Sequence, residues 1–155
     1  MTLRNSSPFV FLLVVILSIG CSKNSENDLR TKKDALTTRT WRFSSATFPD
    51  VPYYMSNNVL PSCYTDNIIT FSRDGSGIID ESSYVCPTSN AGSFTWQLSK
   101  NAEKLTTSVK LIPGGSNEFR LKSVNDTTLV IAQNDVAIPG IVLPPVDIEV
   151  TFVHP

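Results

Sequence analysis

Histidine is almost absent from this chain: the single one, His154, stands one residue from the end. That scarcity removes the usual general base, so neither a Ser/His nor a Cys/His arrangement can be assembled. Gly-rich phosphate loops and the spacings of metal motifs are missing too. Charged residues make up only 17% of the chain, and no basic patch or aromatic–basic interleaving of the kind that tracks nucleic acid is present. No apolar run reaches the roughly 20 residues a membrane-spanning helix needs. Asp80 and Glu81 are adjacent in a segment read as a strand, where neighbours point to opposite faces, so the two carboxylates cannot flank one bond. Asp74 beside Gly75 reads as turn chemistry rather than a calcium ligand. These absences predict a protein that is not an enzyme, with no cofactor, no bound metal and no nucleic-acid partner.

What is present begins with a leader. Arg4 precedes the unbroken apolar run from Phe9 to Leu17, and small residues follow at Ser18 and Gly20. Charge, apolar stretch and small residues in that order make a secretory signal over residues 1–20. The residues Leu17-Ser18-Ile19-Gly20-Cys21 resemble the bacterial lipobox. The resemblance implies cleavage before Cys21, diacylglycerol on its sulfur and acylation of the new N-terminus. One acyl chain, at ~0.8 kcal/mol per buried methylene, holds only marginally, and several hold stably. Ser22 after the cysteine, by resemblance to enterobacterial sorting, points to the outer membrane. The expected location is therefore the bacterial cell envelope, on its periplasmic or its surface face, with the membrane reached through the N-terminal lipid. Arg4 leaves with the leader, so 12 of the 13 basic residues remain against 14 acidic ones, a net charge of −2. Residues 21–37 are polar and mixed in charge. Asp28 to Leu36 could make one short helix with Leu29, Ala35 and Leu36 as its only apolar contacts, but the composition is read as a solvated tether.

Three cysteines occur in all. Lipidation of Cys21 leaves Cys63 and Cys86, an even pair that in an oxidising compartment is expected to be a disulfide. Closing a loop of about 24 residues should stabilise the fold by ~3 kcal/mol in the chain-entropy model.

From Trp41 onward the dominant signal is alternation of apolar and polar residues, with turn residues between segments. Trp41, Phe43, Ser45 and Thr47 share a face in the first segment, and Ile69 and Phe71 in the second. The third is placed at residues 77–85. Phe94, Trp96 and Leu98 mark the fourth, and Leu105, Thr107, Val109 and Leu111 the fifth. Phe119/Leu121, Leu129/Ile131 and Ile148/Val150/Phe152 complete the set. Eight segments with one apolar face each form an antiparallel sheet wetted on one side.

The connections say how that sheet closes. Asp74-Gly75, Lys100-Asn101 and Asn125-Asp126 are tight hairpin links. The remaining links, at 49–66, 86–92, 112–116 and 134–146, are longer and irregular. Alternate links of an up-and-down meander lie at the same end, so the tight turns gather at a closed bottom and the longer loops at a rim. A hairpin centred on Asp74-Gly75 also sets Cys63 opposite Cys86 at that rim. An immunoglobulin-type sandwich would want wider cysteine spacing with a tryptophan between, and Trp96 follows both cysteines.

Taken together, Thr40-Trp41, Cys63, the run Asp66-Asn67-Ile68-Ile69-Thr70-Phe71-Ser72-Arg73-Asp74-Gly75-Ser76, Cys86, Gly92-Ser93-Phe94-Thr95-Trp96-Gln97-Leu98 and Thr127-Thr128-Leu129-Val130-Ile131 resemble the lipocalin-like domains of bacterial lipoproteins of the Bacteroidetes type. The resemblance covers about residues 38–153 and implies an all-β fold, an eight-stranded up-and-down antiparallel lipocalin-like barrel. The predicted organisation is a signal peptide at 1–20, a tether at 21–37 and a barrel domain at 38–155. Asp126-Thr127-Thr128 fits a short O-glycosylation pattern of that bacterial group, and a Thr-rich hairpin accounts for it without sugar.

Two sets of residues are candidates for function. The aromatic-rich inner set, Trp41, Phe43, Phe71, Phe94, Trp96, Phe119 and Phe152, either lines a cavity for an apolar ligand or simply fills the narrow interior of eight short strands. The rim set, Tyr53, Tyr54, Met55, Ile138, Ile141 and Leu143, lies in proline-stiffened apolar loops. Those loops either meet a ligand or protein partner or plug the rim. The leading expectation is a non-catalytic barrel binding a small apolar ligand or an envelope protein. The alternatives are an interaction or protease-inhibitor module, suggested by fold analogy alone, and a structural accessory without a ligand.

Overall fold

In the computed structural model the alternating segments become eight strands: β1 (Thr40–Thr47), β2 (Ile68–Phe71), β3 (Ser76–Asp80), β4 (Gly92–Leu98), β5 (Lys104–Thr107), β6 (Glu118–Val124), β7 (Thr128–Val136) and β8 (Val146–Val153). Two helices accompany them, α1 (Ser22–Thr38) and α2 (Ser62–Thr65). The structure describes residues 22–49, 60–138 and 144–155, without the side chains of 22–25. Cys21, the expected leader at 1–20, Tyr53, Tyr54, Met55, Ile141 and Leu143 lie outside the described residues.

Each strand pairs antiparallel with the next, and β8 returns to β1, so one sheet closes into a barrel in sequence order. Burial alternates along the strands, most cleanly in β2 and β3, because successive side chains point to opposite faces and only one face is dry. The inner faces meet in register: Trp41 lies opposite Ile69, Ile69 opposite Ile79, Leu105 opposite Phe119, and Phe152 opposite both Phe43 and Leu129. An eight-stranded barrel leaves room for little beyond its own side chains. Here Phe71 stands edge-on to both Phe94 and Trp96 at 5.5 Å, and Phe43 edge-on to Phe152 at 6.5 Å. Gly77 faces Phe94 across the ladder. The aromatic ring occupies the place a Cβ would take there, and the Thr70 carbonyl would lie 2.7 Å from it, so this inner position has room only for glycine.

Two strands stop earlier than their alternation suggests. The third was expected to reach residue 85 and ends at Asp80, because the Asp66 carboxylate accepts the backbone N–H groups of Ser83 and Tyr84 and bends the chain off the ladder. The fifth was expected to run to Leu111 and ends at Thr107. The Thr107 hydroxyl donates to the Val109 carbonyl, and Leu111, Ile112 and Pro113 turn inward and are buried.

The larger difference concerns the segment read as a solvated tether. It is helical, and its C-terminal half packs under the barrel: Leu36 is fully buried, and the Trp41 indole N–H donates to the Leu36 carbonyl at 2.9 Å. Lys32 donates to the Ala102 carbonyl, Arg73 pairs with Asp34 at 3.0 Å, and the Lys33 ammonium sits 5.8 Å from the Trp96 ring centre. Leu29, Ala35 and Leu36, the only apolar residues among polar and charged ones, carry too little periodicity to announce a docked helix. Its partners lie on distant parts of the chain.

Candidate functional site

The two ends of the barrel are built differently, and that difference marks one of them as the candidate site. At the bottom the β2–β3 link closes on Gly75 at φ +89, with Ser72 N–H donating to Ser76 O and the Asp74 carboxylate accepting both the N–H and the hydroxyl of Ser76. Those two bonds, the hydroxyl's first, hold the Asp74 pKa below its usual range. The β4–β5 link turns through Ala102 at φ 52, around the Ser99 hydroxyl, which accepts from Lys104 N–H. In the β6–β7 link the Asn125 side-chain oxygen accepts the N–H groups and hydroxyls of Thr127 and Thr128. The Thr-rich sequence there thus has a complete turn-forming role. With α1 laid beneath, this end is sealed.

The opposite end carries the longer links, as expected from strand parity. Its apolar side chains come from loops and strand ends: Phe48, Leu60, Leu111, Ile112, Val136 and Ile138 are all buried in the core cluster. Ile138, expected at the rim as a contact residue, is folded inward. Gln133, buried on β7, fastens the β5–β6 loop. Its amide nitrogen donates to the Ser116 hydroxyl at 2.6 Å and the Glu118 carbonyl at 2.7 Å, and its oxygen accepts from Ser116 N–H at 3.1 Å. Ile112, fully buried, is thereby held in the mouth. Sequence reading missed Gln133. A polar residue continuing the inward alternation of Leu129 and Ile131 was the signal available.

Cys63 and Cys86 form a disulfide with their Cα atoms 5.1 Å apart, inside the range a bridge requires. The ladder is not what brings them together. Ile68 faces Asp80 and Ile69 faces Ile79, one residue off the register that would oppose the cysteines. Cys63 instead sits in α2, and Cys86 in the irregular segment after β3. The bridge ties these two departures from the sheet together at the mouth. Just before it, Tyr84 and Val85 are exposed, 62% and 69% respectively.

The seven inner residues Trp41, Phe43, Phe71, Phe94, Trp96, Phe119 and Phe152 are all buried and belong to one cluster. On the outer wall, a shallow depression of about 510 Å³ runs over β5, β6 and β7, lined mainly by polar side chains such as Lys104, Glu118, Arg120 and Asn134. It lies open to solvent, a surface groove and not an enclosed cavity. Among the described residues no group of three or more His, Cys, Asp or Glu gathers in a metal-binding arrangement, and no helix is long and apolar enough to cross a membrane.

No curated protein matches the chain. The family model of the lipocalin-like domain matches residues 37–131, from the end of α1 into β7. The barrel is completed beyond that match by β8, which pairs with both β7 and β1. With a closed eight-stranded meander and a match spanning more than half its length, the chain belongs to the lipocalin-like domain family.

Proposed function

We propose that this protein is a non-catalytic, lipid-anchored binding barrel of the bacterial envelope whose looped mouth admits a small apolar ligand. One observation carries the reading. The bottom is sealed by turns and a docked helix, while the mouth is closed by loop side chains such as Leu60, Ile112 and Ile138. A loop held by a few polar contacts can give way where a ladder cannot, so a ligand enters by displacing those side chains into the apolar interior. Cys21 serves as the lipidated residue, and the leader and lipobox-like residues support that role. The outer membrane is the destination we favour.

Native mass spectrometry of the purified protein tests the ligand. A retained small molecule of low polarity is expected, and its loss on substituting Ile112 by Asp would place it at the mouth. Metabolic labelling with an alkyne fatty acid tests the anchor, and Cys21→Ser should abolish the label. A second reading, a protein-interaction module, draws on exposed Tyr84 and Val85 beside the disulfide. Cross-linking from position 84 to one envelope protein, with no small molecule retained, would favour it.

A further inference from the structure

Among the described residues three polar ones are buried: Asn67, Thr107 and Gln133. Two of them are satisfied, Thr107 by the Val109 carbonyl and Gln133 by Ser116 and Glu118. Asn67 is not. It is 95% buried, at 5% exposure, and its side-chain oxygen has no donor. A buried acceptor left unpaired is disfavoured, so folded proteins rarely keep one without a reason.

Its neighbours share the deficit. Asn67 precedes β2 on the face that Ile69 and Phe71 turn inward, and Glu81 follows β3 on the face of Ile79. The last ladder pair is Ile68 opposite Asp80; Asn67 and Glu81 come one residue beyond it on either side, a spacing at which cross-strand side chains can reach each other. One Glu81 carboxylate oxygen is buried and has no partner. Asp66 holds the same corner together. One of its oxygens accepts Ser83 N–H at 2.8 Å and Tyr84 N–H at 2.9 Å, and the other is buried without a donor. The Cys63–Cys86 bridge clamps both flanking segments. These three acceptors flank the rim ends of β2 and β3, with no donor among the described residues.

We infer that Asp66, Asn67 and Glu81 form a subsite for the positively charged ammonium head of an amphipathic ligand whose apolar body enters the barrel. A primary ammonium brings three N–H donors and no acceptor, which matches three lone acceptors, and two carboxylates supply the opposite charge. An oxygen-bound hard cation is usually given six or more ligands, and the corner offers fewer side chains than that. This inference rests on the ligand-binding reading above and adds the chemistry of the head group.

Isothermal titration of the whole purified protein with n-decylammonium, n-decanol and calcium chloride, each below its aggregation limit and at constant ionic strength, tests it. Decylammonium should bind about tenfold tighter than decanol. Glu81→Gln and Asn67→Leu should each bring it down to the affinity of decanol and leave decanol binding unchanged. Circular dichroism and thermal melting of both variants check that they fold, and Glu81→Gln, at a half-buried position, serves if Asn67→Leu does not. Equal affinity for the amine and the alcohol would overturn the subsite while leaving the barrel reading intact. That is the result expected if Asn67 turns its amide nitrogen onto Glu81 and the pair satisfies itself. Stabilisation by calcium alone would overturn the ammonium assignment, and no binding of any probe would overturn both readings.

Discussion

The bottom of this barrel and its mouth solve the same problem, closing an apolar tube, with different materials. At the bottom, hairpin links of three to five residues satisfy their own backbone groups, and α1 adds one buried leucine and one indole-to-carbonyl bond. At the mouth, loop side chains fill the space, fastened by a glutamine and a disulfide. A closure made within the ladder opens only when the sheet opens. A closure made by a loop opens when a few hydrogen bonds and contacts are exchanged. That contrast puts the firmer closure at one end and the more easily opened one at the other, which is the basis of the binding proposed above.

The contrast can be broken most directly at the bottom. Leu36→Ala removes a side chain with no exposure and should cost about 2–5 kcal/mol, the range for leucine deletions in a core, measured by urea denaturation. A small loss would mean that α1 rests on the barrel without holding it. Next in size is the disulfide. Replacing Cys63 and Cys86 together by serine should cost about 3 kcal/mol in the same assay, while the strands keep their circular dichroism. Loss of the β signature would show that the bridge organises the sheet, contrary to its place outside the ladder.

Gln133→Leu sharpens the distinction between the ends. It strips Ser116 N–H and the Glu118 carbonyl of their buried partner and should cost about 1–3 kcal/mol. Hydrogen exchange should rise at residues 112–118 and remain slow in the bottom turns. A uniform rise across the barrel would make the mouth and the bottom one cooperative unit. The smallest effect belongs to Asp74. Its pKa is lowered by the Ser76 bonds, so its contribution to the turn is complete above the normal carboxylate range and fades as pH falls through the lowered value. A carboxyl titration followed by NMR should place Asp74 below its value in Ser76→Ala; identical midpoints would deny the bonds any role.

Much of the fold was legible because a sheet writes its burial into every second residue. The alternation in Phe94-Thr95-Trp96 and Leu129-Val130-Ile131 maps onto the inner and outer faces of β4 and β7. The tight links were legible as well, since Asp74-Gly75 and Asn125 satisfy the chain within a few residues. Two strand ends were misplaced because Asp66 and Leu111–Ile112 overrule a periodic pattern from outside it. The cysteine pair was found by counting, and the register argument that set the two opposite each other proved one residue off. The docking of α1 was hidden, since its one buried leucine has no local signature and its partners are Trp41 and Ala102. The mouth was only partly readable: Ile138 stood out as apolar, but nothing local told whether it faced solvent or core.

By itself, then, the sequence determined which residues face inward along most strands, where the chain turns sharply, and that two cysteines would be joined. Each of these is settled over a handful of residues, by side-chain alternation, turn chemistry or simple parity. In β1 a bulge after Phe43 turns Ala46 inward and Thr47 outward, against the alternation expected of Ser45 and Thr47. Only the tertiary structure decided that the polar segment 22–38 becomes a plug, that Gln133 pins the mouth, and that Asp66, Asn67 and Glu81 each keep a buried oxygen without a donor among the described residues. Those outcomes depend on groups far apart in the chain, and the energy that selects among them exists only once the barrel has closed.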